Sequence, residues 1–259
     1  MSKPTFVLVP GAWHSPDIYS AVTAILSKHG FSAMGVALPS VGAIPLHADF
    51  REDVAAIRKC LTALISDEKD VVLVVHSYSG LPGGEAPIGV GKIEREAKGL
   101  KGLKGGFIRY VVINGFATPA GFQPNPKGDF SQFPEWMKFD HEDATVSVPH
   151  ADDAKKVFYN DMSSSEGDEL AVKLVFQSSG VYFSTATYAA WTAIPSTYLM
   201  GEQDETAFSP PMVEMMLQGA RQAEPSAFDV VEKCKEGGHC LMISFPEWTA
   251  DALIRAAGV

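Results

Sequence analysis

Three polar residues at widely separated positions, Ser77, Asp204 and His239, could together perform nucleophilic chemistry. A serine hydroxyl is a poor nucleophile on its own and needs a nearby base to take its proton. An imidazole can supply that base, and a carboxylate can hold the imidazole in the required tautomer. The chain order serine, aspartate, histidine is one of the orders in which such triads occur. We therefore predict that Ser77 is a nucleophile, His239 its general base and Asp204 the orienting acid.

Ser77 follows an unbroken run of branched apolar residues, Val71–Val75, and precedes Tyr78-Ser79-Gly80. Such a run is typical of a strand buried on both faces, and the small residues after it predict a sharp turn into a helix. A serine at the tip of that turn matches the nucleophile elbow, whose pattern is G-x-S-x-G. Here Val75 and Ser79 occupy the two glycine positions, so an ordinary serine turn remains an alternative.

His239 lies in the turn Gly237–Cys240, beyond the last predicted strand, and Asp204 lies four residues beyond the strand predicted over 195–200. Glu202 and Glu205 are rival carboxylates in the same loop. We prefer Asp204 because a short side chain at the apex of a loop suits a rigid hydrogen bond to an imidazole.

Stabilising the oxyanion of an acyl-transfer reaction requires two N–H groups beside the nucleophile. The candidates are the N–H of Tyr78, directly after Ser77, and that of Ala12, in the turn Pro10–Trp13. A plain tight turn is the alternative interpretation of Pro10-Gly11. His14 either lines the pocket or faces solvent, and we assign no catalytic role to His76.

The elements that must position these residues alternate between strands and helices along the chain. Strands are predicted over 5–9, 31–38, 71–75, 107–113, 195–200 and 228–232, and helices over 17–29, 49–66, 210–220 and 245–257, with a perturbed helical region and an exposed Gly/Lys loop between 85 and 106. This alternation predicts an α/β fold with a mostly parallel central sheet and helices on both faces. Ligands of such sheets bind outside the carboxyl ends of the strands, where Ser77, Asp204 and His239 are expected.

The segment 121–193 shows no dominant strand alternation and is rich in aromatic residues. We predict that it is a helical cap insertion over the strand ends, with 1–120 and 194–259 forming the core. The predicted pocket residues are Trp13, His14, Trp136, Tyr182, Phe183, Tyr188 and Trp191.

Composition and charge limit which partners and which cellular compartment are expected for the protein. The chain of 259 residues has a formal net charge of −10, which argues against binding to nucleic acid or to an anionic membrane surface. The start of the sequence shows no signal peptide, and no apolar span is long enough to cross a membrane, so a cytoplasmic location is expected. The group His141-Glu142-Asp143 lacks a metal-ligand spacing, and we expect neither a metal nor a cofactor.

Together these residues resemble the α/β-hydrolase family over nearly the whole chain. Phe6–His14 is similar to the family's first strand and oxyanion loop, with Pro10 where histidine is usual, and Val74–Gly80 and Gly237–Cys240 are similar to its elbow and its catalytic histidine turn. The resemblance is greatest to the small esterases that include plant methylesterases and hydroxynitrile lyases, in a fungal form. It implies an α/β-hydrolase fold, the Ser77–His239–Asp204 triad, the Ala12 and Tyr78 oxyanion hole, and no cofactor.

We therefore expect a serine hydrolase that cleaves a carboxylic ester or a lactone of a small, largely apolar substrate. One alternative is a lyase, isomerase or cyclase that uses the same triad as an acid and base on a secondary metabolite. Another is a non-catalytic protein that binds a small ligand on a hydrolase scaffold. A homodimer through the cap surface is compatible with the sequence but is not required by it.

Overall fold

The computed structural model describes residues 3–42, 44–99, 104–206 and 208–258. The strands are β1 (Thr5–Val9), β2 (Ser32–Gly35), β3 (Asp70–His76), β4 (Gly106–Ile113), β5 (Lys138–Asp140), β6 (Thr145–Ser147), β7 (Gln177–Ser178), β8 (Ser196–Gly201) and β9 (Val230–Cys234). The α-helices are α1 (Ser20–Lys28), α2 (Arg51–Ser66), α3 (Gly80–Glu85), α4 (Lys92–Ala97), α5 (Ala151–Phe158), α6 (Ser164–Ala171), α7 (Pro210–Ala223), α8 (Leu241–Ser244) and α9 (Pro246–Ala256). Across these ranges, no helix is both long and apolar enough to cross a membrane.

The central sheet has six parallel strands in the order β2-β1-β3-β4-β8-β9. The chain moves outward from β1 to β2 and then returns to place β3 on the other side of β1. Such a reversal creates a crevice at the carboxyl ends of the strands, where ligands of this class of sheet bind. The predicted α/β class with a parallel sheet is confirmed.

The core is centred on β3, whose residues Val71–Val75 are all fully buried. Because successive side chains of a strand point to opposite faces, complete burial means that both faces of the sheet are covered. On the helical layers, α1 packs against α9 and α2 packs against α3. This packing fixes the carboxyl end of β3, which carries Ser77.

Several element boundaries differ from the sequence prediction. The edge strand β2 is limited to four largely exposed residues, which is half the predicted length. The predicted closing helix corresponds to α9, which Pro246 begins because its ring suits a first helical turn, and a separate short helix, α8, precedes it. Residues 100–103 of the predicted Gly/Lys loop lie outside the described residues.

The insertion over 121–193 is only partly helical. Beside α5 and α6 it contains a small antiparallel sheet in the order β5-β6-β7. These strands have only two or three residues each, which is too short for the alternation that identifies a strand in a sequence. The insertion therefore contains the predicted helices together with a small sheet that the sequence did not predict.

Candidate active site

Ser77 stands at a sharp turn between β3 and the helical segment that leads into α3. Its φ is +56°, in the left-handed region that non-glycine residues seldom adopt. Two hydrogen bonds to the segment after β4 hold this conformation: the Ser77 N–H donates to the Asn114 carbonyl at 3.1 Å, and the Ser77 carbonyl accepts from the Phe116 N–H at 3.3 Å. Backbone strain that is fixed in this way is common at functional sites.

The two positions where glycine was expected are accommodated by their neighbours. Val75 is opposite Gly83 of α3, where an added Cβ would lie only 2.4 Å from Val75 Cγ1. Ser79 is fully buried, and its hydroxyl accepts from the His76 N–H at 2.9 Å while lying 3.2 Å from the Val9 carbonyl. The missing side chain of Gly83 thus leaves the room that the Val75 side chain needs at an elbow position where glycine is usual.

Replacing Gly83 by alanine is expected to destabilise the protein by about 1–3 kcal/mol, because the new methyl group overlaps Val75. Gly84→Ala is the matched control, since its Cβ would lie 3.6 Å from the Tyr110 hydroxyl, an ordinary contact. Urea unfolding measures both variants. In the Val75→Ala background, Gly83→Ala should cost much less stability than it does in the wild type, because the overlapping methyl group is gone. Equal stability of the Gly83→Ala and Gly84→Ala proteins would contradict the packing argument.

His239 and Asp204 form a buried pair. His239 Nδ1 lies 2.8 Å from Asp204 Oδ2, and both residues are 2% exposed. A carboxylate can only accept, so the imidazole donates through Nδ1 and leaves Nε2 free to take a proton. Burial raises the pKa of Asp204, but the charge of His239 and hydrogen bonds from His239 and Thr206 outweigh it, so the pKa lies below its usual value. Asp204 is therefore an anion at neutral pH.

The pair is held against the elbow by Asn114, a fully buried residue that the sequence interpretation missed. Its amide nitrogen donates to the carbonyls of Gly238 at 2.8 Å and His239 at 3.0 Å, and its amide oxygen accepts from the Gly201 N–H at 2.8 Å. The backbone carbonyl of Asn114 accepts from the Ser77 N–H. Asn114 thus connects the elbow through its backbone, and the end of β8 and the His239 turn through its side chain. The only sequence signal was its place directly after a buried strand.

His76 lies beneath His239. Its ring centroid is 4.6 Å from that of His239, and its Nε2–H donates to the His239 carbonyl at 3.1 Å. Burial is the main cause that holds the pKa of His76 well below its usual value, and the neighbouring histidines His239 and His14 lower it further. His76 is therefore a neutral support for the loop.

The predicted oxyanion loop approaches the elbow closely at Gly11, where an added Cβ would lie 2.9 Å from both His76 Nδ1 and Ser77 Cβ. This contact brings Ala12 to the cavity wall beside Ser77 and Tyr78. Trp13 ties the loop to the insertion, because its indole N–H donates to the Val146 carbonyl at 3.1 Å.

His14 does not line the cavity of Ser77; it supports the predicted oxyanion loop from the side away from the cavity. Its Nδ1–H donates to the Ala12 carbonyl at 2.7 Å, so its Nε2 accepts from the Tyr159 hydroxyl at 2.8 Å. This arrangement requires the neutral imidazole. Burial is the main cause that lowers the pKa of His14 to about 4.

Acid is therefore expected to destabilise the fold below pH 6.5. Below pH 6.5 the unfolded chain binds a proton at His14, whereas the folded protein binds it only near pH 4. Because the unfolded state then binds more protons, the free energy of unfolding falls as the pH falls. For His14 alone the free energy of unfolding should drop by about 2 kcal/mol between pH 7 and pH 5, and His76 acts in the same direction. Urea titrations at both values measure the loss. His14→Gln should make it smaller; an unchanged loss in that variant would contradict a neutral His14.

A cavity of about 510 Å³ opens over Ser77 and His239. Its wall is mainly aromatic and apolar: Ala12, Trp13, Tyr78, Phe116, Phe122, Pro124, Phe133, Pro134, Trp136, Met137, Val157, Phe158, Tyr182 and Phe208, with Asn125, Gln132, Glu205 and Thr206 as further polar members. Trp13, Trp136 and Tyr182 of the predicted pocket line it. Most of the other lining residues come from the insertion and were not predicted as pocket residues.

Four predicted pocket residues lie elsewhere because each has another partner. His14 faces the Ala12 carbonyl and Tyr159, as described above. Phe183 packs against Phe130, the Tyr188 hydroxyl donates to Glu94 at 3.1 Å, and the Trp191 indole donates to the Thr118 carbonyl at 3.3 Å. Aromatic composition alone does not distinguish a pocket wall from the packing of the insertion.

Comparison with known proteins agrees with this architecture. The chain is 34% identical to the alpha/beta hydrolase nvfD of Aspergillus novofumigatus, covering all of this chain and 98% of that protein. The structure is similar to that of polyneuridine aldehyde esterase (TM-score 0.71, 18% identity, 98% of each chain) and to that of tomato methylketone synthase I complexed with 2-tridecanone (TM-score 0.68, 18% identity, covering all of this chain and 99% of that one). Residues 6–252 match the alpha/beta hydrolase family. With a six-stranded parallel sheet, an elbow serine and a match over nearly its whole length, the chain belongs to the alpha/beta hydrolase family.

Proposed function

We propose that the protein is a cofactor-independent serine hydrolase that cleaves a carboxylic ester or a lactone of a small, largely apolar substrate. The observation that carries the proposal is the strained elbow serine, Ser77, sharing one cavity with His239, whose Nδ1 is bonded to the buried Asp204. A buried histidine–carboxylate pair with its second nitrogen free is the arrangement that activates a serine hydroxyl.

In the proposed reaction Ser77 Oγ attacks the ester carbonyl while His239 Nε2 takes the hydroxyl proton. The negative charge on the former carbonyl oxygen is held by the N–H groups of Ala12 and Tyr78. Collapse of this intermediate breaks the bond to the alkoxide, which leaves with the proton from His239. Water then attacks the acyl-enzyme with His239 as its base, which releases the acid and restores Ser77.

The cavity supports a small apolar substrate. Its volume of about 510 Å³ lies within the range of small-molecule sites, and aromatic side chains dominate its wall. The name polyneuridine aldehyde esterase and the ligand 2-tridecanone in methylketone synthase I both point to organic molecules of this kind in similar structures. A lactone would react in the same way, except that the alcohol would stay attached to the acyl group.

The likeness to methylketone synthase I favours one second candidate, acid–base chemistry on a substrate that is not an ester. In that case His239 and Asp204 would move a proton directly on the substrate, and no acyl-enzyme would form. A protein that only binds its ligand would show no turnover and would be indifferent to the loss of the Ser77 hydroxyl.

The test is covalent labelling with a fluorophosphonate, followed by intact-mass spectrometry. Ser77 Oγ should displace fluoride from phosphorus and give a single adduct on the wild type, and none on Ser77→Ala. Ser79→Ala is the matched control, because its hydroxyl is buried in backbone hydrogen bonds and should not be the labelled group. A folded wild-type protein that stays unlabelled would overturn the proposal.

A further inference from the structure

Asn125 is a buried polar residue in the wall of the active cavity that the proposed reaction does not use. It is 8% exposed and lines the same cavity as Ser77. Among the described residues, no protein group forms a hydrogen bond with its carboxamide. Neither the oxygen nor the nitrogen of that amide is completely inaccessible to solvent. Because Asn125 lines the cavity, we place the small accessible area of its amide at the cavity wall. A buried amide without a partner costs free energy, so a molecule that fills the cavity gains by bonding to it.

The backbone around this amide is stiff. Asn125 stands between Pro124 and Pro126. Proline fixes its own φ, and Pro126 also restricts Asn125 to extended conformations. The backbone that carries the carboxamide is therefore restricted before a ligand arrives, which lowers the conformational entropy that binding costs.

The other polar side chains of the cavity wall, outside the predicted triad, are less suited to recognition. Gln132 and Glu205 are exposed, and the Gln132 amide donates to the Ser131 hydroxyl at 3.2 Å. The Thr206 hydroxyl already accepts from the Phe208 N–H at 3.1 Å. Asn125 is thus the buried polar group that remains available in a wall of aromatic rings, where an unmet hydrogen bond discriminates strongly between ligands.

We infer that Asn125 is a specificity-determining residue that hydrogen-bonds a second oxygen of the substrate, a carbonyl or hydroxyl group other than the one at the scissile bond. The substrate class is then an oxygenated ester or lactone. This inference rests on the proposed function. The carboxamide can donate to a carbonyl through Nδ2 and accept from a hydroxyl through Oδ1, so both kinds of oxygen fit it.

The test compares aryl esters of one acyl chain length, either plain or carrying a single ketone or hydroxyl group that is moved along the chain. The wild type should prefer one oxygenated position by about tenfold or more in kcat/KM. Asn125→Leu, which has a similar shape, should abolish that preference and leave the plain ester within about threefold. Asn125→Asp, which has no donor as an anion, should lose the ketone preference. Gln132→Leu is the control and should leave the ratio unchanged.

The rate of fluorophosphonate labelling, measured on the same proteins, separates this inference from the proposed function. Labelled Ser77 with no preferred oxygenated position, or an Asn125→Leu protein that loses activity equally on plain and oxygenated esters, would refute the role of Asn125 and leave the hydrolase proposal standing. A folded wild-type protein that is not labelled would refute both the hydrolase proposal and the role of Asn125.

Discussion

Ser77→Ala is expected to lower kcat for the best ester substrate by about 10⁶-fold, the loss typical of removing the nucleophile from such a triad. Without the hydroxyl no acyl-enzyme can form, and His239 has no proton to take from the side chain at position 77. Substrate binding should change little, because the cavity wall of aromatic residues remains. Steady-state kinetics on purified protein, with KM measured separately from kcat, tests this expectation.

The variant should remain folded. Ser77 is held through its backbone, by the hydrogen bonds to Asn114 and Phe116, and alanine preserves both. Its thermal unfolding midpoint should therefore lie close to that of the wild type. Ser79→Ala should show the opposite behaviour, with retained turnover and reduced stability, because its lost hydroxyl leaves the buried His76 N–H without an acceptor. Undiminished turnover by Ser77→Ala would eliminate Ser77 as the nucleophile.

The fold was largely predictable from local patterns. The fully buried part of β3, Val71–Val75, is recognisable in the sequence as an unbroken run of valine and leucine, and the predicted bounds of β1 are those observed. The positions of Ser77, Asp204 and His239 follow from the rule that side chains at the carboxyl ends of parallel strands meet at one edge of the sheet. That rule needs only the order of the elements, which the sequence contains.

What could not be predicted depends on contacts between distant residues. Gly83 compensates for Val75 through packing of α3 on β3, and no spacing rule links the two. Asn114 positions the loops because its amide bonds to the end of β8 and to the turn after β9, more than 80 residues away. The way the insertion folds over the core decides which of its aromatic residues line the pocket. Tyr182 lines it, whereas the equally aromatic Phe183, Tyr188 and Trp191 contact other residues.

The identity of the carboxylate is a further case, since the sequence left three candidates in one loop. The geometry favours Asp204, whose Oδ2 bonds to His239 Nδ1 while its Oδ1 accepts from the Thr206 N–H at 2.8 Å. Both oxygens are thus occupied by donors. Glu205 is exposed at the cavity wall, and Glu202 is partly exposed.

Asp204→Asn is therefore expected to lower kcat by about 10⁴-fold while leaving the site in place. The Thr206 N–H needs an acceptor, so the asparagine oxygen should turn toward Thr206 and its NH₂ toward His239. His239 Nδ1 must then accept, which puts the ring proton on Nε2, where it blocks removal of the proton from Ser77.

Steady-state kinetics of Asp204→Asn beside Glu202→Gln and Glu205→Gln decides which carboxylate acts. The two glutamine variants remove charge from the same loop without altering the hydrogen bond to His239, so their kcat should stay within a few-fold of the wild type. KM should change little in all three proteins, because none of the substitutions alters an apolar residue of the cavity wall. A large loss in either glutamine variant, with Asp204→Asn nearly active, would transfer the role of orienting acid to that glutamate and disprove the tautomer argument.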